Sequence, residues 1–173
     1  MMSRTIDTAR EIYVTGLRNQ HAIENQAIEL LERQIGRLEN YPEMADRMRQ
    51  HLEESKQQAA RIEELLAGLN TGHSTLKDMV TSFMGNVAAL GHASASDEVV
   101  KNTFANYAFE HYEIAAYQGL LVVADSAGQQ ASASVLQQSL KEEQAMAQWI
   151  EDHLKPTMLR YIERYAAGET AGR

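Results

Sequence analysis

The stretch Ile23 to Leu31, "IENQAIELL", belongs to an apolar stripe that a glutamate interrupts. The stripe has the three- and four-residue spacing of one face of an α-helix. Its members are Tyr13, Leu17, Glu24, Ile28, Leu31, Ile35 and Leu38. An ionised carboxylate in a dry interior costs several kcal/mol unless a cation or a hydrogen-bond donor meets it. The stretch therefore predicts a long helix whose buried face carries an acid that needs a partner.

Three further helical patterns follow the first along the 173 residues. Pro42 restricts Tyr41 and can open a helix, while Gly128 and Pro156 are typical helix stops. The segment "SASDE" predicts a cap before the third pattern. Helices A to D are predicted at Thr5 or Asp7 to Asn40, Pro42 to Leu69, Asp97 to Ala127, and Ala131 to Lys155.

The connections between these helices predict the topology. The A-B and C-D turns are short, whereas the B-C connection is long and contains one short amphipathic pattern, Ser74 to Leu90. A bundle with one long crossover is typical of ferritin-like folds. We therefore predict an all-α, ferritin-like four-helix bundle formed by a single domain, residues 1–173, with a C-terminal helix in "TMLRYIERYAAG".

Composition narrows the classes of function. A net charge of -8 without a run of basic residues argues against nucleic-acid binding. The absence of cysteine excludes disulfides, thiolate metal sites and cysteine nucleophiles. No stretch has the length of a membrane span or the apolar core of a signal peptide, so we expect a cytoplasmic protein without membrane contact.

Each predicted helix places a polar ligand group on or near its inner face. Glu113 lies at the centre of the predicted inner face of helix C, with Asn106 and Phe109, and Glu110 flanks it. Helix D places Glu143 within its apolar stripe, and helix B offers His51 on its inner face and Glu54 toward the edge. The candidate metal ligands are Glu24, His51, Glu54, Glu110, Glu113 and Glu143.

Oxygen ligands with an imidazole suit iron or manganese, and a dinuclear iron site is the expected cofactor, with manganese as the alternative metal. The pattern is incomplete, because Glu54 is followed by Gln57 and Glu143 by Met146 where a Glu-x-x-His pair would place histidine. A hydrogen-bonded polar layer without metal therefore stays open. Iron storage would need a large symmetric assembly that the sequence does not specify.

The segments "HAIENQ", "HLEES", "FEHYEIAAYQ" and "LKEEQAMAQWI" resemble the YciF-like family of ferritin-like bacterial proteins and, more distantly, rubrerythrins. The resemblance implies a homodimer associated with stress responses, and it supports the six candidate ligands. Tyr107 and His111 lie opposite Glu113 on helix C, where a dimer contact is a hypothesis. Two functions follow as expectations: a metal protein that reacts with oxygen or peroxide, or a non-catalytic homodimer that binds another protein.

Overall fold

The computed structural model describes residues 2–69 and 95–173, and all regular structure within these ranges is helical. The helices are α1 (Met2–Ile35), α2 (Pro42–Gly68), α3 (Glu98–Ser126) and α4 (Ala133–Ala166), with a 3-10 turn, Gln130–Ser132, before α4. The all-α class and the four predicted helices are confirmed. The predicted short helix, residues 74–90, lies outside the described residues. No helix in the described ranges combines the length and the apolar character that a bilayer span requires.

The first helix ends earlier than predicted. We expected it to reach Asn40, but α1 stops at Ile35 because Gly36, a poor helix former, follows it. The chain then leaves the helix axis, and the Arg37 guanidinium pairs with both oxygens of Glu98 in the first turn of α3. The turn therefore ties the end of α1 to the start of α3.

The predicted helix caps are not formed by side chains. Because α1 begins at Met2, Thr5 and Asp7 lie inside the helix and not at its cap. Asp97 occupies the cap position of α3 without a side-chain cap hydrogen bond, and its carboxylate lies 2.8 Å from Lys101 Nζ. One N–H group of the first turn of α3, that of Val99, is instead satisfied by a distant part of the chain.

The C-terminal segment supplies that missing cap. The Val99 N–H donates to the Gly172 carbonyl at 3.1 Å, and the Tyr41 hydroxyl donates to the Ala171 carbonyl at 2.6 Å. Ala171 and Gly172 are buried between the A-B turn and the start of α3. A Cβ atom at position 172 would lie only 2.5 Å from the Ser96 carbonyl oxygen, so this position needs glycine.

Replacing Gly172 by alanine should therefore lower the free energy of unfolding by about 1–3 kcal/mol, because backbone must shift to admit the methyl group. Urea unfolding followed by circular dichroism measures the effect. Gly68→Ala is the matched control, because a Cβ there would meet nothing within 4 Å. An equal change in both variants would contradict the tight packing of residue 172.

Helix α4 passes through Pro156 instead of stopping before it. The predicted C-terminal helix is thus present as a continuation of α4 to Ala166, and the predicted end at Lys155 is wrong. Proline removes the hydrogen bond to the carbonyl of Asp152. Both residues are exposed, so solvent can satisfy this carbonyl and the helix tolerates the loss.

Two apolar clusters fill the bundle, and polar residues separate them. The first apolar cluster includes Tyr13, Leu17, Ile62, Leu66, Leu120, Leu136 and Leu140. The second apolar cluster includes Leu31, Tyr41, Met44, Met48, Val99, Met146 and Ile150. Both α2 and α3 run from the second cluster toward the first, so α2 ends at one end of the bundle and α3 begins at the other. The long B-C crossover predicted from the sequence is therefore required by the helix directions.

The four helices do not pack equally closely. Helix α1 packs against α2 and α3, and α3 packs against α4. Helices α2 and α4 are also neighbours, but they approach each other much less closely. The least tightly closed side of the bundle is therefore the side between α2 and α4.

Candidate metal centre

A polar layer lies between the two apolar clusters, with members on all four helices. We define it by its fully or nearly fully buried residues: Gln20, Glu24, His51, Gln58, Glu110, Glu113 and Glu143. Each helix changes from apolar to polar and back again where it crosses this level. The layer therefore brings four carboxyl groups and one imidazole into the interior.

His51 lies at the centre of this layer and contacts carboxylates through both ring nitrogens. Its Nδ1 atom lies 2.9 Å from Glu54 Oε2, and its Nε2 atom lies 3.2 Å from Glu110 Oε2 and 3.6 Å from Glu143 Oε2. Burial alone would lower the pKa of His51, but the carboxylates around the ring raise it well above 6.5. Without a metal ion, His51 is the cation that balances these acids.

Three of these residues can converge on one metal ion. His51, Glu110 and Glu143 offer ligand atoms that all lie within 4.8 Å of one another. Two ligands of one ion with metal–ligand distances of roughly 2.1 Å lie roughly 3 to 4 Å apart. The contact between His51 Nε2 and Glu110 Oε2 is in this range but lacks hydrogen-bond geometry. The arrangement is closer to a set of metal ligands than to a set of hydrogen bonds.

Glu113 and Glu143 face the interior, and no donor group in the described residues meets their carboxyl oxygens. All four oxygens are buried, and a hydrogen bond from Glu143 to Glu113 or Glu110 requires one of the two carboxyl groups to be protonated. Burial and the charges of neighbouring glutamates raise the pKa of Glu113 well above 4.5. Burial and the charge of Glu110 raise that of Glu143, although His51 opposes them. Buried oxygens of this kind are costly unless something binds them.

Glu24, the acid that interrupts the first stripe, has partners. The Tyr117 hydroxyl donates to Glu24 Oε1 at 2.5 Å, and the Gln20 amide donates to the same oxygen at 2.9 Å. Burial raises the pKa of Glu24 to about 7, although both hydrogen bonds oppose the change. The second oxygen, Oε2, has no partner in the described residues. Glu24 is therefore half satisfied by hydrogen bonds and keeps one free oxygen toward the layer.

Glu54 lies outside the polar layer, at its edge. It is partly exposed, and it accepts hydrogen bonds from Arg47 Nη1 at 3.1 Å and from Gln50 Nε2 at 2.9 Å. Burial alone would raise the pKa of Glu54, but His51 and Arg47 lower it to about 2. Glu54 thus holds the outer nitrogen of His51 and fixes the ring, which is a common arrangement behind a metal-binding histidine.

A second polar group closes the side of the layer between α2 and α4. Arg61 donates to both oxygens of Glu142, at 2.7 and 2.9 Å, and to Ser139 Oγ at 3.1 Å. The Gln58 amide also donates to Glu142 Oε2, at 3.0 Å, while its Oε1 atom is buried and unpaired. Glu142 therefore faces α2, while its neighbour Glu143 faces the polar layer.

The structure brings five of the six sequence-predicted ligands to one level of the bundle, and Glu54 to its edge. The inner face of α3 in the structure is rotated relative to the predicted one: Asn106 and Phe109 are only half buried, whereas Glu110 and Tyr117 are buried.

The sequence prediction missed Gln20, although the seven-residue gap between Leu17 and Glu24 marks an unassigned turn on the same face. Gln20 fills that gap. The contact between Tyr117 and Glu24 joins residues 93 positions apart and has no local signal.

Comparisons with known proteins agree with this architecture. A family model described as a domain of unknown function, DUF892, matches residues 8–163. Protein YciF of Escherichia coli K12 is 27% identical over 149 residues, which cover 80% of this chain and 85% of YciF. The crystal structure of protein XCC3681 from Xanthomonas campestris is similar, with 34% identity, a TM-score of 0.77, and coverage of 91% of this chain and 99% of that chain. The crystal structure of the E. coli stress protein YciF has 23% identity and a TM-score of 0.71 over 84% of this chain and 94% of that chain. These likenesses extend over all four helices.

Proposed function

The chain belongs to the DUF892 family of YciF-like proteins, and from this premise we propose that it is a stress-associated protein that binds iron or manganese in its polar layer. The stress association rests on the likeness to YciF, which is a stress protein of E. coli. The observation that carries the metal proposal is the convergence of His51, Glu110 and Glu143 from three helices. One imidazole with carboxylates is a ligand set that suits both metals.

The remaining glutamates of the layer support a binding position for a second metal ion. Glu113 offers two unpaired oxygens and Glu24 offers one. Together with a shared Glu110 or Glu143 they would hold the second ion of a dinuclear site, in which carboxylates from facing helices surround the metal. When bound, iron or manganese would supply electron exchange with oxygen or peroxide.

The chain's own residues would prepare the site for such an ion. Glu54 holds the Nδ1 side of the His51 ring and thus leaves Nε2 directed toward the layer. Tyr117 and Gln20 orient Glu24, and the apolar clusters above and below exclude water. The Tyr117 hydroxyl is used for this hydrogen bond to Glu24.

Elemental analysis of protein purified without tags or chelators tests the proposal. We expect iron or manganese in stoichiometric amounts in the wild type, and its loss in Glu143→Gln, because Glu143 is one of the three converging residues and neither of its oxygens accepts a hydrogen bond in the described residues. Glu29→Gln is the control, since it makes the same charge change at an exposed position of α1. A metal content that Glu143→Gln leaves unchanged would contradict the assignment.

The outer face of α3 favours a second function, association with another copy of this chain. Phe104, Tyr112 and Val122 are 51, 47 and 68% exposed, and small residues separate them on the same face. The row contains no Lys, Arg, Asp or Glu, and it comprises Phe104, Ala108, Tyr112, Ala115, Gly119 and Val122. Exposed apolar patches bordered by polar residues are typical of protein–protein contact sites. A homodimer through this face fits both the metal protein and a non-catalytic protein that binds a further partner.

Tyr107 is less suited to this interface than the sequence suggested. Its hydroxyl donates to Glu151 of α4 at 3.3 Å, and its ring packs against the second apolar cluster. His111 is exposed and meets the Tyr107 ring edge-on, with 4.6 Å between ring centroids. The proposed dimer face is therefore centred on Tyr112 and Ala115, with His111 at its border.

Val122→Arg should convert the dimer into a monomer, because a guanidinium group would be buried against an apolar surface. Size-exclusion chromatography with light scattering measures the molar mass. Gln144→Arg places the same charge on an exposed position of α4 and should leave the mass unchanged. A wild-type monomer, or a Val122→Arg dimer, would contradict this interface.

A further inference from the structure

The side of the bundle between α2 and α4 differs from the other three sides in both packing and composition. It is the least closely packed pair of neighbouring helices. A surface depression opens on this side, and Glu54 and Glu142 line it together with Lys141 and four uncharged residues of α4. We call this region the α2–α4 seam and define it by Glu54, Gln58, Arg61, Ser139 and Glu142.

Only a thin layer of polar contacts closes the seam over the buried ligands. The Arg61 guanidinium holds Glu142 through both oxygens and reaches Ser139, while Gln58 adds one hydrogen bond to Glu142. Arg61 and Glu142 are 15 and 19% exposed, so solvent reaches both. If these side chains moved apart, the polar layer would be exposed to solvent without a change in either apolar cluster.

Polar groups lead inward from the seam to the proposed ligands. Glu54 lines the depression on one side and contacts His51 Nδ1 on the other. The far nitrogen of His51, Nε2, is buried and has no hydrogen bond in the described residues. Gln58 is fully buried and also keeps an unpaired oxygen, Oε1, beneath Glu142. Oxygen and nitrogen ligands thus follow one another from the surface to the layer.

We propose that a divalent cation reaches the polar layer through the α2–α4 seam, with Glu54 and Glu142 as its first carboxylate contacts. The Arg61–Glu142 ion pair holds this route closed until the cation displaces Arg61 from Glu142. A guanidinium cannot lose its proton, so it competes with the incoming cation at every physiological pH. This inference rests on the proposed function, because it assigns a path to the same ligands.

The rate of Co²⁺ uptake by the metal-free wild type and by Arg61→Gln tests the path. Co²⁺ gives visible absorption bands when protein ligands bind it, so stopped-flow absorption follows uptake, and elemental analysis gives the final content. We expect uptake to be about tenfold faster in Arg61→Gln, with an unchanged final content, because the closed state loses its ion pair but no ligand. Glu54→Gln should slow uptake, because it removes the first charged contact.

Arg37→Gln is the matched control, since Arg37 makes the same two-oxygen contact with Glu98 at the end of the bundle, away from the seam. Its uptake rate should stay within about twofold of the wild type. Arg61→Met removes the same ion pair and keeps both carboxylates of the seam, and it replaces Arg61→Gln if that variant does not fold. Normal Co²⁺ content with unchanged uptake rates in Arg61→Gln and Glu54→Gln would overturn the proposed route through the seam and leave the metal proposal intact. A wild type that binds no Co²⁺ would overturn both.

Discussion

Replacing Glu113 by methionine should stabilise the metal-free protein, whereas the same substitution at Glu24 should destabilise it. The two glutamates lie in the same polar layer and are equally buried, at 1 and 0% exposed. They differ in their hydrogen bonds. Both oxygens of Glu113 are unpaired, while Glu24 accepts hydrogen bonds from Tyr117 and Gln20. The substitution therefore removes a cost in one case and creates a cost in the other.

The expected magnitudes follow from the cost of an unsatisfied buried polar group, about 1–3 kcal/mol. Glu113→Met removes unpaired oxygens and keeps the volume, so the free energy of unfolding should rise by about 1–3 kcal/mol. Glu24→Met leaves the Tyr117 hydroxyl and the Gln20 amide without their acceptor, and it should lower the free energy of unfolding by about 2–5 kcal/mol. Urea unfolding in the presence of a chelator measures both.

The metal content of the two variants distinguishes a role in metal binding from a general tolerance of the polar layer to substitution. Both variants should bind less metal than the wild type, although only one of them is less stable without metal. A residue that costs stability yet is needed for binding is typical of a functional site. Destabilisation of similar size at both positions would contradict the difference in hydrogen bonding. It would indicate that Glu113 also has a hydrogen-bond partner.

Metal-free protein should become more stable as the pH falls from about 7 toward 4.5. The pKa of Glu24 is raised from 4.5 to about 7, and those of Glu113 and Glu143 are also raised. A group with a raised pKa contributes stability that is complete below its unfolded value and is lost as the pH rises through its folded value. The raised pKa of His51 acts in the same direction above pH 6.5.

Metal-loaded protein should show the opposite trend. Metal ions need ionised carboxylates and a neutral imidazole, so protons compete with them and binding becomes stronger as the pH rises. The gain in stability on loading should therefore be small near pH 5 and large near pH 7.5. Thermal midpoints across this range, with Mn²⁺ or with a chelator, measure the two slopes. Parallel profiles would show that the metal does not bind the titrating groups.

Below pH 4.5 the trend should reverse in the metal-free protein. The pKa of Glu54 is lowered to about 2, because His51 and Arg47 favour its charged form despite burial. Its contribution is present above 4.5 and is lost as the pH falls toward 2. The stability of the metal-free protein should therefore pass through a maximum near pH 4.5.

The sequence predicted the polar layer better on some helices than on others. On α1 and α2 the contrast between apolar and polar faces is strong, and Glu24 and His51 were placed on the inner faces that the structure shows. On α3 the outer face also carries apolar residues such as Phe104 and Val122. The hydropathy pattern therefore did not identify which face of α3 points into the bundle. That is why Glu110 was placed beside the inner face, although it is buried within it.

Long-range contacts were beyond the reach of local patterns. Nothing near Glu24 indicates that Tyr117 would be its donor, since only the packing of α1 against α3 brings them together. The continuation of α4 through Pro156 has a similar cause. Proline ends helices in general, but an exposed carbonyl lowers the local cost, and exposure is a property of the folded bundle.

The polar layer also determines how the four helices are aligned. Sliding α4 along its neighbours by a single turn, about 5.4 Å, would move Glu143 into an apolar cluster and leave Leu140 or Met146 opposite the remaining acids. Buried polar groups that fix register in this way are known from coiled coils. A bundle of interchangeable Leu and Ala residues would admit several such misaligned packings. In this protein the buried Glu143 disfavours such a misalignment of α4, so a group that is costly to bury also favours one arrangement of the helices.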